Sequence, residues 1–307
     1  MASDDEFLMW DDYIGQRTLK SRLEIAMHAA LADDRMLDHI LMVAPPGTGK
    51  TTLANLIAFE MAQNIETIKG RIKVEQFYNL IEEQVDDTVI FLDEIHNLSP
   101  AFQELLQPAL SEGVLFTPEG WEIDTSRLTF VGATVPEYRT KILEPLRDRF
   151  ETQPTWEPYT DEELAQIMAG MAKRMGFEVP DGVIDGLAGA CRGTPRHGRK
   201  FMKAARDLSA AGMEVTVESV LGHIGVDGDG LSTEHLAFLR HLRDQGGTVG
   251  ADNLANLMNS TPTAIKRIER DLAASGCIRW TSRGRQLTPT GREKIGVVRR
   301  RKDRVRV

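Results

Sequence analysis

The 307-residue chain is 41% hydrophobic and 27% charged, enough for two or three cores of ordinary size. No apolar run approaches the ~18 residues of a membrane span, and the acidic start MASDDEF lacks the cationic region of an export signal, so a cytoplasmic location is expected. The net charge of −9 is uneven: from Ile265 to Val307 there are 14 Lys and Arg against 4 Asp and Glu, net +10, which leaves −19 for the rest and suits one end of the chain to polyanions.

In chain order, strand and helix patterns alternate to about residue 157, and a helical stretch follows to about residue 225. The Gly-Asp segment VDGDG, residues 226 to 230, then reads as a link. Three short helical patterns and a two-strand ribbon extend to about residue 298, before a polar, Arg-rich tail. This divides the chain into segments 1–157, 158–226, 227–298 and 299–307. Cys191 and Cys277 match no CxxC spacing and are read as small buried hydrophobes.

The apolar run Ile40–Val43 leads into a Gly-containing loop, then into a helix periodic in Leu53, Leu56, Ile57 and Met61. This strand–loop–helix is the setting of a phosphate-binding loop, with Pro46, Gly47, Thr48, Gly49, Lys50, Thr51 and Thr52 as the expected cradle. Gly47 and Gly49 let backbone N–H groups wrap phosphates at a helix N-terminus, Lys50 neutralises the outer phosphates, and Thr51 offers a hydroxyl to Mg²⁺. The pattern GxxxxGK[ST] is met except at its first glycine, which is Ala44, a departure that matters only if that position needs positive φ.

A second buried strand pattern, Thr88–Leu92, ends in Asp93 and Glu94, two carboxylates at a strand's carboxyl end where ligands bind in open α/β sheets. Asp93 is the candidate to hold Mg²⁺ through water and Glu94 the one to polarise an attacking water, as phosphoryl transfer requires. His96 has no metal-ligand spacing and reads as a packing or relay residue. A third pattern, Leu128–Val131, runs into Gly132-Ala133-Thr134, which places Thr134 near the outermost phosphate if the three strands are neighbours; an ordinary strand-ending turn is the equal alternative. Arg147 and Arg149 in LEPLRDRF, and Arg196 in RGTPRHGRK, lie beside helices and suit phosphate geometry, though such arginines are more often surface ion pairs.

The motifs VAPPGTGKTTLANLIA, VIFLDEIHNLSP, TFVGAT, PLRDRF and RGTPR, in this order, resemble the RuvB family from DDYIGQ at residue 11 to about residue 295. The resemblance implies an α/β P-loop AAA+ domain with a parallel sheet flanked by helices (1–157), a helical lid (158–226) and a winged-helix domain (227–298). It implies an ATPase, a hexameric ring on DNA, and branch migration of Holliday junctions with a RuvA partner. Residue by residue, Tyr13 and Ile14 would contact adenine, Lys50 and Thr51 the phosphates and Mg²⁺, and Asp93 and Glu94 the metal and the water. Arg149 would be the finger reaching a neighbouring subunit and Arg196 the lid's nucleotide sensor. Three departures stand out. GATV (Gly132 to Val135) replaces the usual GATT, so Thr134 would have to stand in for a hydroxyl missing at Val135. The partner-docking hairpin is short, turning at Pro118-Glu119-Gly120, with Trp121 expected either to pack inward or to top the hairpin. The C-terminal RRRKDRVRV is unusually basic.

Independently of the family, Thr261 and Pro262 cap and start a helix that Gly276 ends. Ile265, Ile268 and Leu272 form its apolar stripe, and Lys266, Arg267 and Arg270 its cationic face. The strands CIRWTS and RQLTP are joined at SRGR, which puts Arg283 and Arg285 at the tip of a ribbon as candidate phosphate contacts. A winged helix that binds protein is the alternative to one that binds DNA. A DNA loader or initiator switched by ATP is the competing activity, distinguished by the absence of strand movement.

Overall fold

The four strands of the main sheet are parallel and lie in the order β1-β6-β3-β2, so the P-loop strand and the acidic strand flank the strand that ends in Thr134. The computed structural model describes residues 9–84, 86–245, 248–282 and 284–296. These form two compact units: one holds the residues up to Glu178 with Gly193–Met202, the other Val179–Arg192 and the residues from Lys203 on.

The first unit begins with α1 (Arg17–Ala32), β1 (Ile40–Val43), α2 (Lys50–Glu60), β2 (Asn64–Lys69), α3 (Val74–Glu82) and β3 (Thr88–Asp93). It continues through α4 (Pro100–Ser111), the hairpin β4 (Val114–Phe116) and β5 (Glu122–Asp124), β6 (Leu128–Thr134), the single turn α5 (Glu144–Arg147) and α6 (Asp161–Arg174). Every residue of β6 and the first five of β3 are buried, as expected of strands covered on both faces. Alternation divides them. Leu128 and Phe130 join Ile90, Leu92, Phe77 and Phe102 on the face covered by α3 and α4. Val131 and Ala133 join Val89, Phe91, Leu53 and Ile57 on the face covered by α1 and α2. Truncating a fully buried ring such as Phe130 to Ala costs about 3–5 kcal/mol.

Local signals start the helices as their chemistry dictates. Ser99 accepts a hydrogen bond from Phe102 N at 3.3 Å with Pro100 at the first helical position, and Thr160 and Glu163 form a reciprocal capping box on α6.

The second unit contains α7 (Val183–Ala188), and α8 (Pro195–Ala210) runs from the first unit into it. It goes on with α9 (Val217–Ile224), α10 (Thr233–Asp244), β7 (Thr248–Val249), α11 (Ala251–Leu257), α12 (Pro262–Ala274), β8 (Ile278–Thr281), β9 (Gly284–Leu287) and α13 (Pro289–Lys294). Its antiparallel sheet, β7-β9-β8, and helices α10 to α12 close over Phe238, Leu242, Leu254, Ile265, Ile268 and Leu272. The ribbon thus has a third strand, β7, that the sequence pattern did not disclose. Cys191 and Cys277 are both buried, as read, and neither forms a disulfide among the described residues. VDGDG is a tight loop, with Asp227 Oδ1 accepting from Asp229 N (3.0 Å) and Leu231 N (2.9 Å). The Arg-rich tail lies outside the described residues.

Candidate active site

β1 delivers the chain into the loop Ala44–Gly49, which turns into α2 at Lys50. Gly47 (φ 83°) and Gly49 (φ 100°) both take left-handed backbone, and both are crowded: a Cβ at Gly47 would stand 2.7 Å from the Cβ of Arg196, and one at Gly49 3.1 Å from the Tyr13 hydroxyl. Ala44 is not among the residues with positive φ, so alanine serves where the pattern has its first glycine. No side chain caps α2, which leaves the N–H groups of its first turn for an anion. Thr48 Oγ1 donates to Pro45 O at 2.9 Å, while Lys50 Nζ donates to Ala44 O (2.7 Å) and Pro45 O (2.9 Å). Burial pulls the Lys50 ammonium down to about 8 against the pull of Glu94 and Asp93, with Arg196 adding to the lowering. A cation held this dry is poised for a polyanion. Thr51 is exposed beside Lys50, Thr52 is half-buried and Pro46 is exposed on the loop.

Tyr13 and Ile14 line a cavity of about 210 Å³ together with Gly49, Thr52 and Tyr159. Its far wall is α6, through Gln166, Gly170 and Arg174 at every fourth position and Ile167 and Met171 alongside. Tyr159 donates to Thr48 O at 2.9 Å, and Gln16 binds the backbone of Glu157 with both amide atoms (2.7 and 2.8 Å), tying the N-terminal arm and residues 157–159 to the loop. The Tyr13 hydroxyl is buried without a hydrogen-bond partner; burial and the adjacent Tyr159 hold its pKa well above the usual phenol value. Tyr159 and the α6 wall were absent from the sequence reading. The stripe at every fourth residue of α6 is contained in the sequence, but nothing local says what it faces.

Asp93 and Glu94 stand at the carboxyl end of β3, next to β6 and one strand from the P-loop. Glu94 adopts φ 58°, ψ 44°, a left-handed conformation that costs a non-glycine residue about 1 kcal/mol or more. Its carboxylate, 47% exposed, lies 3.2 Å from His96 Nε2, and His96 Nδ1 lies 2.9 Å from Thr134 Oγ1. Burial lowers the His96 pKa, Glu94 opposing, which keeps the ring neutral near pH 7. A carboxylate only accepts, so Nε2 carries the proton toward Glu94 and Nδ1 accepts from the Thr134 hydroxyl. Tyr138 stacks on the ring with centroids 4.5 Å apart.

This arrangement corrects the reading of Thr134 as a residue that meets the nucleotide. Its hydroxyl is buried and turned to His96, because alternation along β6 puts residue 134 on the face of Leu128 and Phe130, away from α2. A one-residue step changes the face, so Thr134 does not replace a side chain at Val135.

Arg196 packs its side-chain stem over Gly47, and its N–H donates to Gly47 O at 3.3 Å. Arg149 donates from Nη1 to Pro145 O at 2.6 Å; no hydrogen bond or ion pair joins it to the P-loop or the acidic pair among the described residues. Arg147 is half-buried beside it. The segment carrying both is fixed by buried Gln103, which donates to Leu98 O (3.0 Å) and Lys141 O (3.2 Å) and accepts from Leu143 N (2.7 Å).

On α12, Lys266 and Arg267 are exposed and Arg270 half-buried, while Ile265, Ile268 and Leu272 face inward. Arg285 does not stand at the ribbon tip. It pairs with buried Glu269 (Nε–Oε1 2.6 Å; Nη2 to Oε2 2.9 Å), because a carboxylate taken from water needs a counter-charge. Arg283 lies outside the described residues. The β4–β5 hairpin exists, and Trp121, 73% exposed, follows its turn; the inward-packed reading of that residue is corrected.

A crowded glycine loop feeding an uncapped helix, with an acidic pair one strand away and an arginine packed on the loop, defines a P-loop ATPase of the AAA+ class. Residues 7–155 match the description Holliday junction DNA helicase RuvB P-loop domain, and residues 228–296 match RuvB C-terminal winged helix domain. The Holliday junction branch migration complex subunit RuvB of Kosmotoga olearia is 34% identical over 94% of this chain and 89% of its own length. That of Nitratiruptor sp. is 33% identical over 91% of this chain and 88% of its own. The solved RuvB Holliday junction branch migration motor of Thermotoga maritima is 30% identical, with a TM-score of 0.81, covering 95% of this chain and 98% of that one. The chain belongs to the RuvB family.

Proposed function

We propose that this chain is an ATP-driven motor that moves Holliday-junction branches during recombination and repair, working as a ring with ATP hydrolysed between subunits. The observation that carries the reading is the meeting of Lys50, the acidic pair Asp93 and Glu94, and Arg196 at one edge of a parallel sheet whose chain continues into a winged helix. Tyr13 and Ile14 would take the adenine, Gly47 to Thr52 the phosphates, and Arg196 the signal of what is bound. Glu94 would orient and polarise the attacking water. Among the described residues Arg149 makes no bond to its own site, which suits a finger offered to a neighbouring subunit and would make hydrolysis depend on assembly. The hydroxyl of Thr51 and the carboxylate of Asp93 are oxygen donors of the kind Mg²⁺ prefers. Mg²⁺ held there, at Asp93 through water, would neutralise charge developing on the phosphates.

Lys266, Arg267 and Arg270 would follow the duplex backbone without reading sequence. The hairpin, with Phe116 and Trp121 exposed, supports docking of a RuvA-like partner. Among the described residues no helix is long and apolar enough to cross a membrane, and work on DNA fits the cytoplasm. The large domain would span residues 1–157, the lid 158–226 and the winged helix 227–298.

The test is ATP hydrolysis by the purified chain with and without a four-way DNA junction, scoring release of duplexes in the same tubes, with Lys50→Ala as blank. Hydrolysis stimulated by the junction together with duplex release, both lost in the blank, is expected. Stimulated hydrolysis without duplex release, with a RuvA-like protein supplied, would assign the chain to loading instead of travel.

A further inference from the structure

The motif RGTPR has an arginine at each end, and the two engage different parts of the protein. Arg196, in the first turn of α8, has its N–H on Gly47 and its stem over that glycine. Arg192 ends the 3-10 turn Gly189–Cys191 in left-handed backbone (φ 50°), and its guanidinium, only 11% exposed, lies 3.0 Å from Asp271 Oδ2 on α12. The same carboxylate oxygen lies 3.3 Å from Nε2 of His235 on α10, whose Nδ1 is 2.7 Å from the hydroxyl of Ser232, the residue that caps α10. The loop before α10 reinforces the joint. Gly230 (φ 72°) sits where a Cβ would come within 2.2 Å of Ala190 O, so backbone rests directly on the 3-10 turn that Arg192 ends.

Asp271 follows buried Ile268 by three residues and exposed Arg267 by four, so it stands at the border between the buried and the solvent-facing sides of α12. The helix proposed to meet DNA is thus held from within by an arginine four residues before the one that rests on the P-loop. Burial favours raising the Asp271 pKa, but His235 and Arg192 outweigh it and hold the carboxyl at about 2, so the pair stays charged across the working range. With the Arg192 guanidinium largely buried and anchored on left-handed backbone, and Asp271 half-buried against it, withdrawing one partner leaves the other charge poorly compensated, so the pair acts as a strut.

We propose that Arg192 is a positioning residue that couples nucleotide state to the DNA-facing helix: through Asp271 it makes α12 follow the segment leading to Arg196. The proposal rests on the motor reading for its biological purpose, but not for its test.

The test measures duplex affinity of the full chain with a non-hydrolysable ATP analogue and with ADP, by fluorescence anisotropy, and junction release in parallel. For the native chain the two nucleotides are expected to change duplex affinity by about tenfold, the usual range of coupling between sites. Arg192→Ala and Asp271→Asn should bring that ratio close to one and abolish junction release, while basal hydrolysis stays within about twofold of native, since neither residue lines the cavity beside the P-loop. The double exchange Arg192→Asp with Asp271→Arg should restore part of the ratio, which a purely stabilising role would not predict. Melting curves identify variants that fail to fold, and Arg192→Lys, which keeps the charge without the planar fork, is then the informative replacement: an intermediate ratio is expected. A folded Arg192→Ala or Arg192→Lys chain with the native ratio overturns the proposal, as does a native chain whose duplex affinity ignores the nucleotide. A native ratio well above one that the variants abolish, without junction release by the native chain, would sink the motor reading and leave the coupling standing.

Discussion

The hydroxyl of Thr134 is joined to Nδ1 of His96 at 2.9 Å, and through that ring to the carboxylate of Glu94 at 3.2 Å. The strand between the P-loop strand and the acidic strand therefore sets the orientation of the group proposed to polarise water. Thr134→Val and His96→Ala are expected to lower the turnover number about tenfold or more, with nucleotide affinity unchanged, because Glu94 is left without its guide while the phosphate loop is untouched. Steady-state hydrolysis with a separate nucleotide titration measures both. A raised KM with unchanged turnover would instead assign the pair to binding.

Among the described residues, the Arg149 side chain bonds to its own turn at Pro145 and not to the P-loop or the acidic pair. Arg149→Ala should reduce hydrolysis by roughly 10³-fold, the usual worth of such a finger. If the finger acts on the next subunit, mixing Arg149→Ala chains with Lys50→Ala chains, each inert alone, should recover measurable hydrolysis. Mixtures as inert as their components would place Arg149 in its own subunit's site.

The ion pair of Arg285 with Glu269 is structural where the exposed cations of α12 are not. Arg285→Ala should cost about 3–5 kcal/mol of stability by stranding the Glu269 carboxylate, with no more than a secondary effect on DNA. Lys266→Ala and Arg267→Ala should leave stability within about 0.5 kcal/mol, yet each should weaken duplex binding and reduce the salt slope by about one. Chemical denaturation and anisotropy across a salt series separate the two outcomes.

Asp271 contributes an acid-side pH dependence to the second unit. Its carboxyl is held at about 2, below the ordinary value, so its stabilising contribution is complete above the unfolded carboxylate pKa and is lost as pH falls toward 2. Since the side chain is 35% exposed, the contribution is no more than about 2 kcal/mol after screening. The melting temperature of the native chain should exceed that of Asp271→Asn at pH 5, and the gap should shrink as pH drops below about 4. A gap independent of pH would mean that shape, not charge, holds the joint.

The parts of the site legible in the sequence are those that one short segment encodes: the glycines before Lys50, the acidic end of a buried strand, and the cap and stripes of α12. Long-range placement was not legible. Tyr159 reaches Thr48 across 111 residues, and the α6 stripe acquires meaning only once the arm holding Tyr13 folds against it. β2 escaped notice because its residues, NIETIK, are largely exposed at a sheet edge and lack a continuous apolar run. Thr134 was misplaced by strand parity, since a single position decides which layer a side chain enters. Arg285 was misplaced because its partner, Glu269, lies 16 residues earlier on α12, and nothing in the ribbon segment itself signals that pairing.

Trp121 on the hairpin of the first unit and Trp280 on β8 of the second are 73% and 56% exposed, whereas Trp10 is buried. Indole emission shifts with the polarity around the ring, so the chain carries its own optical label on each of two surfaces, with buried Trp10 and half-buried Trp156 as the constant background. Collisional quenching by iodide, read on Trp121→Phe and Trp280→Phe chains, would show which surface becomes shielded when a protein or a duplex arrives, with no dye attached.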